Sequence, residues 1–257
     1  MNTLKEFTKG IPPVPDEPAQ VEGDQVFEPR VSTTLAPEEF TVAFPPPHLP
    51  QGQTGACTAH SAVQMLYSQQ SRMLGKPAEL MSPMALYYRT RELAGRLNED
   101  SGATKREVLT ALRESGTIPY RVFKNPQPVT KRPPNYEPMT KIKGFWIMWA
   151  GVEQSPHLVR DAMFFEGLTV SVHVRIPEDD MKSRVVARTG IFSEVGNDLS
   201  FDGYGHDMCL YGQRVINDKP YGVTRNSWNH KDWYVPLENL SNRRYCYAIF
   251  TLGQGWP

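Results

Sequence analysis

Three residues of this chain have the types and settings for nucleophilic acyl chemistry: Cys57, His206 and Asn226. Cys57 closes the stretch Gln51-Gly52-Gln53-Thr54-Gly55-Ala56-Cys57. Its glycines free the backbone for a close approach, and the cysteine then stands where a helix begins. A thiol at a helix N-terminus feels the positive end of the macrodipole, which favours the thiolate, the form that attacks carbonyl carbon. The same residue could instead be a small buried side chain opening an amphipathic helix, since free cysteine is among the most buried types. His206 lies in Gly203-Tyr204-Gly205-His206-Asp207 at the start of an apparent strand, and Asn226 ends another, just before Ser227 and Trp228. If the two strands pair through a turn at 217–219, Asn226 returns to His206. Its carbonyl can then accept the imidazole N–H and fix which ring nitrogen faces the thiol, while Trp228 covers the bond. A strand-ending asparagine and an ordinary surface or core histidine are the plain alternatives.

The elements that must position these residues follow from periodicity and caps. A helix is expected over Cys57–Leu74, where Ala59, Ala62, Val63, Leu66, Tyr67, Met73 and Leu74 keep a 3.6-residue period and Gly75 and Pro77 supply a stop. Ser82-Pro83 reads as an N-cap with proline at the first helical position, opening a second helix that ends near Gly95. Thr104 and Glu107 have capping-box spacing ahead of Val108, Leu109 and Leu112, and Gly116 closes that third helix. After a loop at Asn125–Pro138 with five prolines, Ser155-Pro156 announces one more helix, ended by Gly167. The run Leu168–Ile176 alternates Val170, Val172, Val174 and Ile176 with Ser171, His173 and Arg175, the pattern of a half-buried strand. His206–Val215 and Tyr221–Asn226 read as a hairpin around Asn217-Asp218-Lys219, and Tyr245–Leu252 as a final strand. The plan is α+β: a proline-rich arm over 1–50, a helical lobe over 51–135 and a sheet-rich lobe over 136–257, with a cleft between the lobes.

Bulk properties exclude several classes. The charge is balanced, 28 basic against 28 acidic residues, which argues against a nucleic-acid or membrane-surface partner. No apolar stretch approaches the roughly 20 residues of a membrane helix. The N-terminus, Met1 to Pro18, has no apolar core and does not read as a secretory signal. Three cysteines, an odd and sparse set, fit a reducing compartment such as the cytoplasm.

The string QGxxGxC, the glycine-flanked histidine and the later Asn-Ser-Trp together resemble the papain family of cysteine peptidases. QGQTGACTA is closest to the bacterial and viral branch, in which Cys-Thr-Ala replaces the Cys-Trp-Ala of plant and lysosomal members. Ser82-Pro83 to Tyr87-Tyr88, Arg91-Glu92 and the run from Asn98 to Ala103 also resemble that branch, and the resemblance covers about residues 51 to 252. It implies a two-lobe fold, one lobe helical and the other an antiparallel, barrel-like sheet. It also implies a cysteine endopeptidase acting on peptides or proteins through a thiolate–imidazolium pair and an acyl-enzyme, with no cofactor and no metal. By the same resemblance Cys57 attacks, His206 moves protons and Asn226 orients His206. Gln51 gives the side-chain donor of an oxyanion hole, beside the Cys57 N–H. Ser101 and Gly102 pair with extended substrate, Tyr204 and Gly205 line the pocket for the residue two before the cut, and Trp228 completes the binding set. Residues from Phe40 to Pro50 should run along the chain's own lobes. The first thirty residues would then be a docking segment for a protein partner or a lid over the cleft.

The departures are specific. Asn229-His230-Lys231-Asp232-Trp233 stands where the family continues with glycine, Asp207 follows the histidine where a small residue is usual, and Thr54 replaces the disulfide cysteine of secreted members. Fifty proline-rich residues cannot supply a long helical propeptide. Other readings remain open. A zinc site through Cys57-x-x-His60 and His206-x-x-Cys209 is disfavoured because residues three apart on a strand face opposite ways. A virion or scaffold component could keep the fold as an interaction module. Another Cys-His hydrolase, an amidase or deubiquitinase-like enzyme, could use the same residues.

Overall fold

The computed structural model describes residues 36–124, 130, 147–151, 156–193, 204–228, 231–240 and 246–251. Residues 1–35, most of the proline-bearing loop and the side chain of Cys246 lie outside that description.

The helical part begins with α1 (Cys57–Leu74), whose end is set by Gly75 at φ 64°. A left-handed residue there lets the Gly75 and Lys76 amides satisfy the last helical carbonyls of Arg72 and Ser71. In α2 (Pro83–Leu93), Ser82 accepts from the Ala85 amide and proline takes the first helical position. In α3 (Lys105–Ser115) the capping box forms in full, Thr104 with the Glu107 amide and Glu107 with the Thr104 amide. These three helices bury a core of Ala59, Val63, Leu66, Leu86, Tyr87, Leu109 and Leu112, joined by Cys209 and Ile249 from the sheet.

The strands are β1 (Phe40–Thr41), β2 (Ile147–Gly151), β3 (Val170–Ile176), β4 (Tyr204–Ile216), β5 (Lys219–Arg225), β6 (Asp232–Pro236) and β7 (Cys246–Thr251). The sheet they form is antiparallel throughout and runs in the order β2-β7-β3-β4-β5-β6, with the short β1 also on β4. The β4–β5 hairpin turns at Asn217 and Asp218, both at positive φ (51° and 60°), the left-handed pair that matches strand twist. Helix α4 (Pro156–Phe164) and the short α5 (Glu178–Lys182) and α6 (Arg184–Thr189) complete this part. Its core gathers Val159, Met163, Val170, Val172, Val174, Phe192, Val223 and Trp233.

The antiparallel sheet lobe is the one expected, and it is not closed: β2 and β6 are its edges among the described residues. Residues 190–192 cover the β6 edge, with Phe192 N–H donating to Tyr234 and Tyr234 N–H to Gly190, so the edge is blunted without closure. Strand β3 is also buried on both faces: Ser171 and His173 are as covered as the valines. Alternation marks the two faces but says nothing of what lies on the polar one. Here that covering includes the serine side of α1 and the lysine that opens α3.

The segment from Phe40 to Pro50 does run along the chain itself. Phe40 and Thr41 pair with Gln213 and Gly212, a side chain at Gly212 would strike the Phe40 carbonyl, and Phe40 sits edge-on to Phe164 at 5.2 Å. Prolines leave the following stretch without a ladder. Its carbonyls are satisfied by α1 instead: Ser68 donates to Phe44 and Gln64 to Pro47.

Candidate active site

Helix α1 packs on β4, and Cys57 at its first residue meets the strand that carries His206. The Cys57 sulfur lies at the N-terminus of α1, where the Thr58 amide and the backbone N–H of Asp207 both face it. The thiol is therefore beside the peptide that joins His206 to Asp207. No acidic residue stands in the first turn of α1.

The tautomer of His206 follows from hydrogen-bond arithmetic. The Trp228 amide can only donate, and it meets Asn226 Oδ1 at 3.1 Å, which identifies that atom as oxygen. The same oxygen lies 3.0 Å from His206 Nε2. An oxygen that can only accept requires the proton on Nε2, so the lone pair of the neutral ring is on Nδ1. That atom is buried and makes no hydrogen bond. The Trp228 ring stacks on the imidazole at 3.7 Å between centroids and 26° between planes, excluding water from one face. Tyr204 stands edge-on to Trp228 at 5.6 Å, with Gly205 buried beside it on β4.

Gln51 is fully buried, with its amide held at both ends. Nε2 donates to the Thr54 carbonyl at 2.6 Å and Oε1 accepts from Ser227 Oγ, while the Gln51 and Ser227 backbones bond at 2.9 Å. These bonds leave one N–H of the amide uncommitted. Thr54 donates to the Gln51 carbonyl at 2.8 Å. Gly102 takes φ 70° and donates its N–H to the Tyr87 hydroxyl, with half-buried Ser101 beside it.

Electrostatically this is a dry site. Burial, ahead of the Asp207 charge, pushes the Cys57 thiol up to about 12. Burial likewise lowers His206 to about 3, against the raising effect of the Asn226 bond. The helix end favours thiolate, and burial opposes it.

Sequence reasoning passed over several supports. Asp100 and Tyr87 tie Gly55 to Gly102, and Ser227 holds Gln51. Lys105 lies fully buried and paired with Asp207. A signal for it existed: Lys105, Val108, Leu109 and Leu112 share i, i+3, i+4, i+7 spacing, so a cation stands on an otherwise apolar stripe and demands an acid. Asp207 was legible as unusual, and its strand orientation away from His206 agrees with a side chain turned to α3.

A cavity of about 400 Å³ lined by Glu38, His157, Arg160, Gln213 and Leu237 shares no residue with this site. Among the described residues no helix is long and apolar enough to cross a membrane.

No family model matches the sequence, and no curated protein matches it. Solved structures do. The chain is similar to xylellain, a cysteine protease from Xylella fastidiosa, with TM-score 0.76, 19% identity, and 95% of this chain and 97% of that one covered. It is similar to the digestive procathepsin L2 proteinase of Tenebrio molitor larval midgut, with TM-score 0.67, 14% identity and coverage of 97% and 80%. A structure from work on the mite allergens Blo t 1 and Der p 1 follows at TM-score 0.63, 18% identity and coverage of 89% and 76%. The fold is that of the papain-like cysteine proteases, a helical lobe packed on an antiparallel sheet lobe.

Proposed function

We propose that this chain is a papain-like cysteine endopeptidase that cleaves peptide bonds in peptide or protein substrates. The observation that carries the reading is the pinned imidazole: Nε2–H is committed to Asn226, which leaves Nδ1 as a buried, unengaged base on the strand that passes the Cys57 sulfur. Transfer of the thiol proton to Nδ1 makes thiolate and imidazolium together. Burial disfavours either charge alone, but their mutual attraction in a dry site offsets much of that cost. The thiolate attacks the scissile carbonyl, and the oxyanion is met by the Cys57 N–H and the free N–H of Gln51. Imidazolium gives its proton to the leaving amine, and the neutral ring then activates water to hydrolyse the thioester. Ser101 and Gly102 pair with extended substrate, and Tyr204, Gly205 and Trp228 line its pocket. The arm over 1–50 precedes a single catalytic unit, 51–257, that needs no cofactor. The free thiols Cys57 and Cys209 support work in a reducing compartment.

A second reading, an interaction component of a larger assembly (a virion, for example) with little activity, draws on one observation. The Cys57 residue is only 3% exposed. Profiling a peptide library with the wild type and Cys57→Ala separates the two. Turnover lost in the variant supports the peptidase, and a folded wild type without turnover supports the assembly component.

A further inference from the structure

Between α1, α3 and the sheet lies a buried polar cluster that the proposed chemistry does not use. Lys105 Nζ donates to Asp207 Oδ1 and to Ser171 Oγ. Ser171 Oγ donates to the same carboxylate oxygen at 2.6 Å and meets Ser61 Oγ, also at 2.6 Å. Lys105 and Ser171 are fully buried, and Ser61 and Asp207 nearly so. Asp207 follows His206 directly, its backbone N–H faces the Cys57 sulfur, and Ser61 is one helical turn beyond Cys57. A buried lysine–carboxylate ion pair thus sits behind the thiol, with burial pushing the Asp207 carboxyl up against the lowering effect of Lys105, in a place where an apolar pair would pack at lower desolvation cost. Such a cost calls for a role.

We propose that Lys105 and Asp207 are positioning residues that set the ionisation of Cys57, the lysine favouring thiolate and the aspartate opposing it. The proposal rests on Cys57 being the nucleophile, but its effect on the thiol can be read without any substrate. While both charges are present the thiol meets a compensated pair. With either one removed it meets a single buried charge. The carboxylate raises the thiol's pKa and the ammonium lowers it, alongside the donating Asp207 amide. The other titratable groups around the pair are His206, Tyr204 and Cys209 on β4, His173 on β3 and His60 on α1 itself. Burial holds the three imidazoles well below their ordinary value, and it holds the phenol and the Cys209 thiol above theirs. An adjacent charge typically moves a pKa by about 1 to 3 units, so the pair has the reach to govern the thiol.

The test is the rate of Cys57 alkylation by iodoacetamide at one fixed, mildly alkaline pH, followed by mass spectrometry on the full chain. Lys105→Met is expected to slow it by about tenfold or more, and Asp207→Asn to speed it by a similar factor, the rate equivalent of opposite shifts of about one unit in the thiol's pKa. The doubly substituted Lys105→Met/Asp207→Asn chain, with no buried charge, is expected to return close to the wild type. A single variant that fails to fold leaves the other and the double to decide. Equal or same-direction shifts, or none, overturn the proposal and leave the pair a packing feature. Opposite shifts in a protein without peptide turnover would uphold it while the peptidase reading fails. Turnover without shifts gives the reverse.

Discussion

Tyr87 and Asp100 form a bridge between two loops: the Tyr87 hydroxyl donates to the Asp100 carboxylate and accepts from the Gly102 amide at 2.9 Å. Both oxygens of Asp100 also face the Gly55 amide at 3.1 Å. Burial, then the neighbouring carboxylate, pushes the phenol well above its usual range, so it stays a donor. Arg91 lies over the Tyr87 ring at 4.3 Å and donates to the Glu99 carbonyl. The loop that leads to Cys57 and the segment that carries Gly102 are thereby held together without a ladder or a disulfide.

Loosening that bridge should cost catalysis more than folding. Tyr87→Phe and Asp100→Asn are each expected to lower kcat/KM by about 10- to 100-fold, the equivalent of one hydrogen bond to a charged group. Steady-state kinetics beside thermal melts checks this. Variants that melt early yet keep wild-type kcat/KM would show the bridge to be structural only.

The site residues should grade by role. Cys57→Ala and His206→Ala are expected to abolish hydrolysis, since in the proposed mechanism one forms the covalent bond and the other moves every proton. Gln51→Ala should leave weak turnover, about 100- to 1,000-fold down, the usual loss of an oxyanion donor. Asn226→Ala should also leave residual turnover, because a ring without its acceptor still samples the working tautomer. Initial rates on one cleaved peptide test the order, and Asn226→Ala being as dead as His206→Ala would contradict it.

Stability should fall on both sides of neutrality. Burial lowers His60 to about 4 and His173 and His206 to about 3. Unfolded imidazoles take a proton near 6.5 while the folded ones do not, so the unfolded state binds more protons and stability drops as pH falls below 6.5. One pKa unit corresponds to about 1.4 kcal/mol, so roughly 2 kcal/mol per histidine is the most that is lost by about pH 5. On the alkaline side Cys57 and Cys209 are raised to about 12 from 9.0, and stability falls as pH rises from 9.0 toward that value. Urea midpoints across pH are the measurement, and a midpoint that climbs on acidification to about pH 5 would contradict the sign.

Most of the local structure was legible because its causes are local. Gly75, Ser82-Pro83, the Thr104–Glu107 box and the Asn217-Asp218 turn each settle their own element within a few residues. His206 and Asn226 could be joined through that turn, and their bond is in the structure. What was not legible depends on partners far away in the chain. Ser171 and His173 looked half-buried because nothing near them announces α1 and Lys105. Tyr87, Asp100 and Ser227 do their work on loops that only the tertiary fold brings within reach. The dryness of the site has the same origin: a helix end argues for thiolate, and only the packed lobes reveal the burial that opposes it.

The most direct measurement is brief, dilute iodoacetamide at neutral pH, with the modified cysteine mapped by mass spectrometry in the wild type and in His206→Ala. Cys57 should be alkylated first, well ahead of Cys209 and Cys246, and should slow at least tenfold without the imidazole that takes its proton. Equal labelling of the three thiols, or a Cys57 rate indifferent to His206, would contradict the assignment of Cys57 and His206 as nucleophile and base.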